Sequence, residues 1–575
     1  MSNQPQWLDT PDNADPYLRF WIELLRTSSS DKGQQEPLRQ FCAQHLDYLN
    51  LNLIPVIQTW FRQNLPPSAQ RDTLVGLVEN VVIDIKNFPL GKRADNLEIA
   101  IAGYLLVLEA RPRATHAEKW AQTQNNLGEA YRIRIRGERA ENIEKAIESY
   151  SLALEVYTRQ AFPQDWAQTQ NNLAIAYSDR IRGERAENIE KAIAAYQRAL
   201  EVYTRASFPE QWARTQNNLA AAYSNRIRGE RAENLELAIT SYRSALAIRQ
   251  PEQLPLDCLQ TGSNLGDLGF KEGDWEVAIE GYSIAITAVE KSRSWALDPV
   301  RREEIQAESI ALYSNIIHAH VQQGNYAQAF NYAERSRSRR LVELMATADL
   351  YGSGEVPAQI VDLDGQYRGL QTRINELREA FRKDQDQQQR QLMTNSGANR
   401  RISLEAYTKQ IRNLEAQQQA VWQQIWQLEP EQAARLQATP TDLKVLADLL
   451  KQQPVGTALL NFYSTADDTY IFILKHGAKG DDTSSSQFEG ELCIDLFLCS
   501  SKGVKNFQAW IHQRWLAPYI AAMQNPSPQL RQQRFQQWQN SLPGLLHEIS
   551  QNLKLDELIQ KHLQGIQQLI LIPHL

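Results

Sequence analysis

Between residues 92 and 345 the chain sets small and aromatic residues at helical spacing, separated by polar stretches. Ala146, Tyr150 and Ala153 stand at i, i+4 and i+7 and so share one helix face. The triplet returns as Ala192, Tyr196, Ala199 and as Ala238, Tyr242, Ala245. A second helix precedes each triplet: Leu127 and Tyr131, then Leu173 and Tyr177, then Leu219 and Tyr223. Gly128 follows the first leucine, where a small residue lets the partner helix come close. The tryptophans that open these helices, Trp120, Trp166 and Trp212, are 46 residues apart (166 − 120 and 212 − 166). Self-similarity at such a period predicts a solenoid of stacked helix pairs, each burying its apolar face against its neighbours.

The pattern changes on both sides. Residues 1–91 hold three apolar helical segments without the repeat and read as an N-terminal cap to a solenoid over 92–350. After the Gly/Pro-rich Tyr351–Pro357, apolar residues alternate at spacings of four and three from Leu363 to Phe381 and again from Leu404 to Leu428. This predicts an antiparallel helical hairpin over 358–432. Within 440–575, Ala458–Tyr463, Thr469–Leu474 and Leu492–Leu498 are short runs rich in β-branched and aromatic residues. Two helical stretches follow, then Leu569–Ile572, and this order predicts an α/β unit with a partly parallel sheet. The unbroken Leu-Ile-Leu-Ile run is the pattern of a strand buried on both faces. Its position beside the last residue, Leu575, predicts a domain that is incomplete.

Composition narrows the functional classes. Apolar residues at 42% and charged residues at 22% describe an ordinary globular protein of several domains. A net charge of −7 leaves no basic surplus for sequence-independent nucleic-acid binding. No apolar window spans a bilayer, and Met1–Gln6 lacks the features of a secretory signal. The four cysteines, Cys42, Cys258, Cys493 and Cys499, show no paired spacing, which points to reduced thiols in the cytoplasm. The basic run Arg335–Arg340 reads as a solvated helix face.

The helix-pair pattern resembles the tetratricopeptide repeat, with an apolar-small pair and aromatic in the first helix and alanine, aromatic, alanine in the second. Extra residues around Arg-Ile-Arg-Gly-Glu-Arg (134–139, 180–185, 226–231) and around Phe162-Pro163 and Phe208-Pro209 account for the longer unit. The order of parts resembles the caspase-like domain called CHAT, found behind such repeats in many bacteria. Tyr332–Leu341, Leu460–Tyr463, Tyr470–Leu474 and Leu569–His574 carry that likeness. The fold class expected is therefore mainly α: a tetratricopeptide-repeat solenoid, a helical hairpin and a partial α/β caspase-like domain. The resemblance implies a cysteine peptidase whose repeats select a partner. It places the catalytic histidine and cysteine on later strands, so no catalytic residue is carried onto this chain. A non-enzymatic adaptor for protein assembly is the other reading.

The candidate chemistry lies on the first helices. Gln122, Asn125 and Glu129, then Gln168 and Asn171, then Arg214 and Asn217 are expected to line a groove for a protein or peptide, since an amide both donates and accepts hydrogen bonds. Asn126, Asn172 and Asn218 are expected to be structural. The Arg-Gly-Glu-Arg elbows read as turns with glycine at positive φ. His574 reads as a surface loop residue, and Cys493 with Cys499 as buried thiols sharing a strand face. His318 and His320, two apart on a helix, read as packing and solvent residues rather than a metal pair. No sequence motif calls for a cofactor or metal, and neither nucleic acid nor membrane is expected as a partner. The oligomeric state is left open.

Overall fold

The computed structural model describes residues 6–572 except 11–13, 31–35, 67–69, 294–298, 348–357, 392–397, 430–442, 477–486, 490–491, 501–502, 504–509, 511–512, 515–516 and 524–527. The chain forms two compact units, residues 1–248 and 249–575. His574 and Tyr351–Pro357 lie outside the described residues.

The first unit opens with α1 (Pro16–Ser30), α2 (Glu36–Gln44) and α3 (Leu53–Asn64). Antiparallel pairs follow: α4 (Arg71–Asn87) with α5 (Arg93–Ala110), α6 (Arg113–Arg132) with α7 (Arg139–Leu154), α8 (Pro163–Asp179) with α9 (Arg185–Leu200), and α10 (Pro209–Ser224) with α11 (Arg231–Leu246). Trp21, Trp60, Phe61, Leu74 and Val78 share one core with Ile99 and Val107, so the first ninety residues are continuous with the first pair. The pair α4–α5 obeys the 46-residue register. Gly91 has φ +81° where Gly137, Gly183 and Gly229 have φ of +75° to +80°. Asn96 Nδ2 donates to the Leu90 carbonyl just as Asn142 Nδ2 donates to that of Arg136.

Each elbow is a built joint. Arg134 binds Glu98 through Nε and Nη2, both at 2.7 Å, and reaches back to the second helix of the preceding pair. Arg180 does the same to Glu144, and Arg226 to Glu190. The remaining guanidinium nitrogen of each lies 3.3–3.4 Å from the side-chain oxygen of Asn142, Asn188 or Asn234. Arg139, Arg185 and Arg231 donate to carbonyls at the end of the first helix. The elbow is thus more than the glycine turn its sequence suggests: one arginine ties the next unit to the last.

The second unit continues with α12 (Pro255–Glu272) and α13 (Trp275–Arg293), then α14 (Pro299–Gln322) and α15 (Tyr326–Thr347). A Cβ built on Gly281 would sit 2.2 Å from the Gly266 nitrogen, so α12 and α13 cross in backbone contact. The hairpin α16 (Ala358–Gln391) and α17 (Ala398–Leu428) buries Leu363, Val421, Trp422 and Ile425 along its seam.

After α18 (Leu443–Lys451) comes a sheet of β1 (Thr457–Ser464), β2 (Thr469–His476), β3 (Gln487–Glu489), β4 (Leu492–Cys499) and β5 (Gln568–Ile572) in the order β3-β4-β2-β1-β5. Helices α19 (Ala517–Met523), α20 (Pro528–Asn552) and α21 (Leu555–His562) intervene before β5. β1 and β5 are parallel and the other pairings antiparallel. On one face Ala458, Leu460, Ile471 and Ile473 pack with Phe497, Cys499, Leu558 and Leu563.

The opposite face receives α14 and α15. Phe330 meets Phe472 edge-on at 5.7 Å, and the His318 ring nitrogen lies 2.9 Å from the Tyr470 hydroxyl. Arg337 bonds the Asn461 side chain at 2.8 Å and the Phe462 carbonyl at 2.9 Å, and it pairs with buried Glu334. Arg335 clasps Glu290 on α13 at 2.6 and 2.9 Å. These two arginines depart from the expected solvated basic face, because each meets a carboxylate inside a helix or sheet contact; the side chains of Arg339 and Arg340 lie outside those described. Among the described residues β5 pairs only with β1, at the sheet edge, and Leu569 and Leu571, which share one face of it, are 44% and 60% exposed.

Candidate functional site

The first helices of the pairs form the wall on which the expected groove residues fall. α8 and α10 begin with Pro163 and Pro209, whose fixed φ suits the first helical position. Phe162 and Phe208 precede them and pack with Trp166, Val202 and Trp212, setting each entry angle. α6 comes into direct contact with α8, and α8 with α10, so residues one unit apart can meet.

The wall has two layers. Gln122, Gln168 and Arg214 project into solvent, and Glu129, Asn126, Asn172 and Asn218 are half-buried. Asn125, Asn171 and Asn217 lie beneath, at 9%, 1% and 4% exposure. Asn172 Nδ2 donates to Asn125 Oδ1 at 3.2 Å, and the Thr215 hydroxyl donates to Asn171 Oδ1 at 3.3 Å. Asn217 Nδ2 donates to Asn218 Oδ1 at 3.2 Å. The first two bonds form a ladder between units and the third lies within α10, with the row expected to be structural standing nearer the solvent. Glu129 pairs with Lys86, a buried cation of α4.

The spacing contained one signal that the sequence reading missed. Glu79 stands 46 residues before Asn125 and accepts from the Thr123 hydroxyl at 2.6 Å, as Asn171 does from Thr215. Arg111, buried beside it, closes this end of the ladder at 2.6 Å from Glu79. Tyr157 and Tyr203 occupy the Arg111 position in the next two units, and burial pushes the Tyr203 hydroxyl up to about 12.

Elsewhere the titratable candidates are packed. Burial raises the thiols of Cys42 and Cys258 to about 12. The Cys499 thiol donates to the Leu553 carbonyl, and Cys493 is buried 3.9 Å from Asp495. Asp495 is paired with Lys475 at 2.8 Å. His318 and His320 belong to the packing of α14. His320 stacks on Tyr332 and burial lowers its pKa to about 4. Among the described residues no group of three or more His, Cys, Asp or Glu could hold a metal ion, and no helix is long and apolar enough to cross a membrane.

A tetratricopeptide-repeat family model matches residues 166–208 and 212–252. No curated protein matches the chain. Among solved structures, MamA is similar at 20% identity and a TM-score of 0.24 over 35% of this chain and 96% of its own. BtubC (BKLC) from P. vanneervenii shares 17% identity at a TM-score of 0.25 over 50% and 96%. A Rap protein complexed with competence and sporulation factor shares 19% at 0.27 over 57% and 98%. The chain carries a mostly helical, tetratricopeptide-like solenoid with a small sheet in its C-terminal region.

Proposed function

We propose that the chain is a protein- or peptide-binding scaffold whose working surface is the wall of α6, α8 and α10. The observation that carries this is the row Gln122, Gln168 and Arg214, side chains rich in hydrogen-bonding groups and open to solvent at the same place in three successive units. Behind them Asn125 Oδ1 accepts from Asn172 and Asn171 Oδ1 from Thr215, contacts that tie successive first helices together without occupying the outer row. Such a surface suits the backbone of an extended guest, which offers donors and acceptors in alternation.

The test compares two triple variants against a peptide selected by display on the full chain. Gln122→Ala, Gln168→Ala and Arg214→Ala together should weaken capture at least about tenfold with an unchanged melting temperature, through loss of hydrogen bonds of about 0.5–1.5 kcal/mol each. Asn125→Ala, Asn171→Ala and Asn217→Ala should instead lower the melting temperature. A peptide held equally by the outer-row variant removes the wall as the binding surface.

For residues 440–575 the finer reading is the beginning of a CHAT-type caspase-like domain, with α15 as the helix joining repeats to sheet. Its docking on β1 through Arg337 and Glu334 supports that reading. No catalytic residue is assigned. The coding sequence beyond codon 575 tests it: a frame running on into histidine- and cysteine-bearing strands supports a peptidase, and a stop codon supports a non-enzymatic adaptor.

A further inference from the structure

The three first helices are close copies, and where they differ is informative. Residues 120–131 read WAQTQNNLGEAY, residues 166–177 read WAQTQNNLAIAY, and residues 212–223 read WARTQNNLAAAY. Only three of the twelve positions vary. One, Gly128 with Ala174 and Ala220, is buried, and a Cβ on Gly128 would meet the Tyr150 ring at 2.8 Å. The other two are Gln122, Gln168, Arg214 and Glu129, Ile175, Ala221. They are seven residues apart, two helical turns, and so occupy one face of the helix. The first trio is exposed and the second half-buried. Apart from the packed glycine position, the copies diverge only where the wall meets solvent.

Building on the reading of this wall as the binding surface, we propose that these two positions determine specificity, and that the guest is an extended segment bearing an aliphatic side chain and an acidic one. Glu129 is already paired with Lys86 and offers no free charge. Ile175 is an apolar seat left half open on α8. Arg214 is exposed on α10, and among the described residues no carboxylate lies within ion-pair distance of it. The middle of the wall is thereby neutral and partly apolar, and its α10 end carries a cation.

The geometry sets the spacing in the guest. Neighbouring first helices lie about 10 Å apart, and seven residues along a helix span about 10.5 Å. The diagonal from Ile175 to Arg214 is then about 14 Å, or roughly four residues of extended chain.

The experiment uses the full chain and fluorescent twelve-residue peptides of Gly, Ser and Thr, each carrying one Leu and one Asp three to five residues apart in either order. Matched peptides replace Asp by Asn or Lys, or Leu by Gly. By fluorescence anisotropy the wild type should favour Asp over Lys by about two- to fivefold, the range of an exposed ion pair. Arg214→Gln, which restores the residue of the other two copies, should bring that ratio to one. Arg214→Glu should invert it, and Ile175→Ala should erase the preference for Leu over Gly. Gln168→Trp, which fills the wall between the two seats, should block every peptide.

Failure of the two readings looks different. If no designed peptide binds, this assignment of specificity is overturned while the display-selected peptide still tests the wall; if peptides bind and Gln168→Trp leaves binding intact, the wall is not the binding surface and both fall. If Gln168→Trp blocks binding but the Asp-to-Lys ratio is the same in wild type and Arg214→Gln, the wall stands and this assignment of specificity is overturned.

Discussion

Arg180 and Glu144 allow the joint between units to be measured. Arg180 bonds Glu144 through two parallel contacts of 2.8 Å, with the two side chains only 24% and 25% exposed. A pair this enclosed and bidentate should exceed the 0.2–1 kcal/mol of a surface ion pair, and about 1–2 kcal/mol of coupling is expected. The cycle Arg180→Ala, Glu144→Ala and the double variant isolates that term, read as the opening free energy of α8 and α9 by amide hydrogen exchange. The coupling also has a predictable pH dependence. The hydrogen bond from Arg180 is the main cause that holds the Glu144 carboxyl below its ordinary value of 4.5, outweighing burial. A folded value below the unfolded one stabilises the fold above pH 4.5, and that stabilisation is lost as pH falls through the folded value. The coupling should be complete at pH 7 and vanish in stronger acid. A coupling under about 0.3 kcal/mol at pH 7, or one that persists when Glu144 is protonated, would refute the claim that this arginine binds one unit to the next.

Three further outcomes are expected. Gly281→Ala forces a methyl into the Gly266 backbone at 2.2 Å, and a loss of about 1–3 kcal/mol in urea unfolding should result; an unchanged midpoint would mean that α12 and α13 separate freely. Arg337→Ala strands Glu334 beside Asn461 in a buried contact, and a thermal melt should show a loss of about 3–5 kcal/mol that Glu334→Gln partly restores. His320, held near pH 4 by burial, destabilises the fold as pH drops below its ordinary 6.5, so His320→Phe should flatten the stability profile between those values; an unaltered slope would show that another group titrates there.

Much of the architecture was legible because helix pairs and heptads obey short periods that a linear sequence displays. The triplet Ala146, Tyr150, Ala153 is buried as its spacing implies, and Leu363 meets Val421 across the expected hairpin. What escaped is pairing between distant positions. Nothing local to Arg134 names Glu98 as its acceptor, and nothing in Arg335–Arg337 separates the arginine that clasps α13 from the one that enters the sheet. The asparagine pair was ambiguous for a related reason. Adjacent residues on a helix point about 100° apart, and only the neighbouring unit decides which of the two is covered. The apolar run of β5 records what the strand is suited to bury, while its neighbours decide what is buried, and Leu569 and Leu571 stand open.

The arginine of each elbow takes its acceptor 36 residues earlier, and the glutamate of each second helix serves the elbow that follows. A 46-residue segment therefore carries one donor for its predecessor and one acceptor for its successor. Inserting or excising such a segment between α6 and α11 leaves the elbow arginine of every remaining unit matched to a glutamate. The array can lengthen or shorten in whole-unit steps while every elbow keeps its arginine–glutamate clasp to the unit before it.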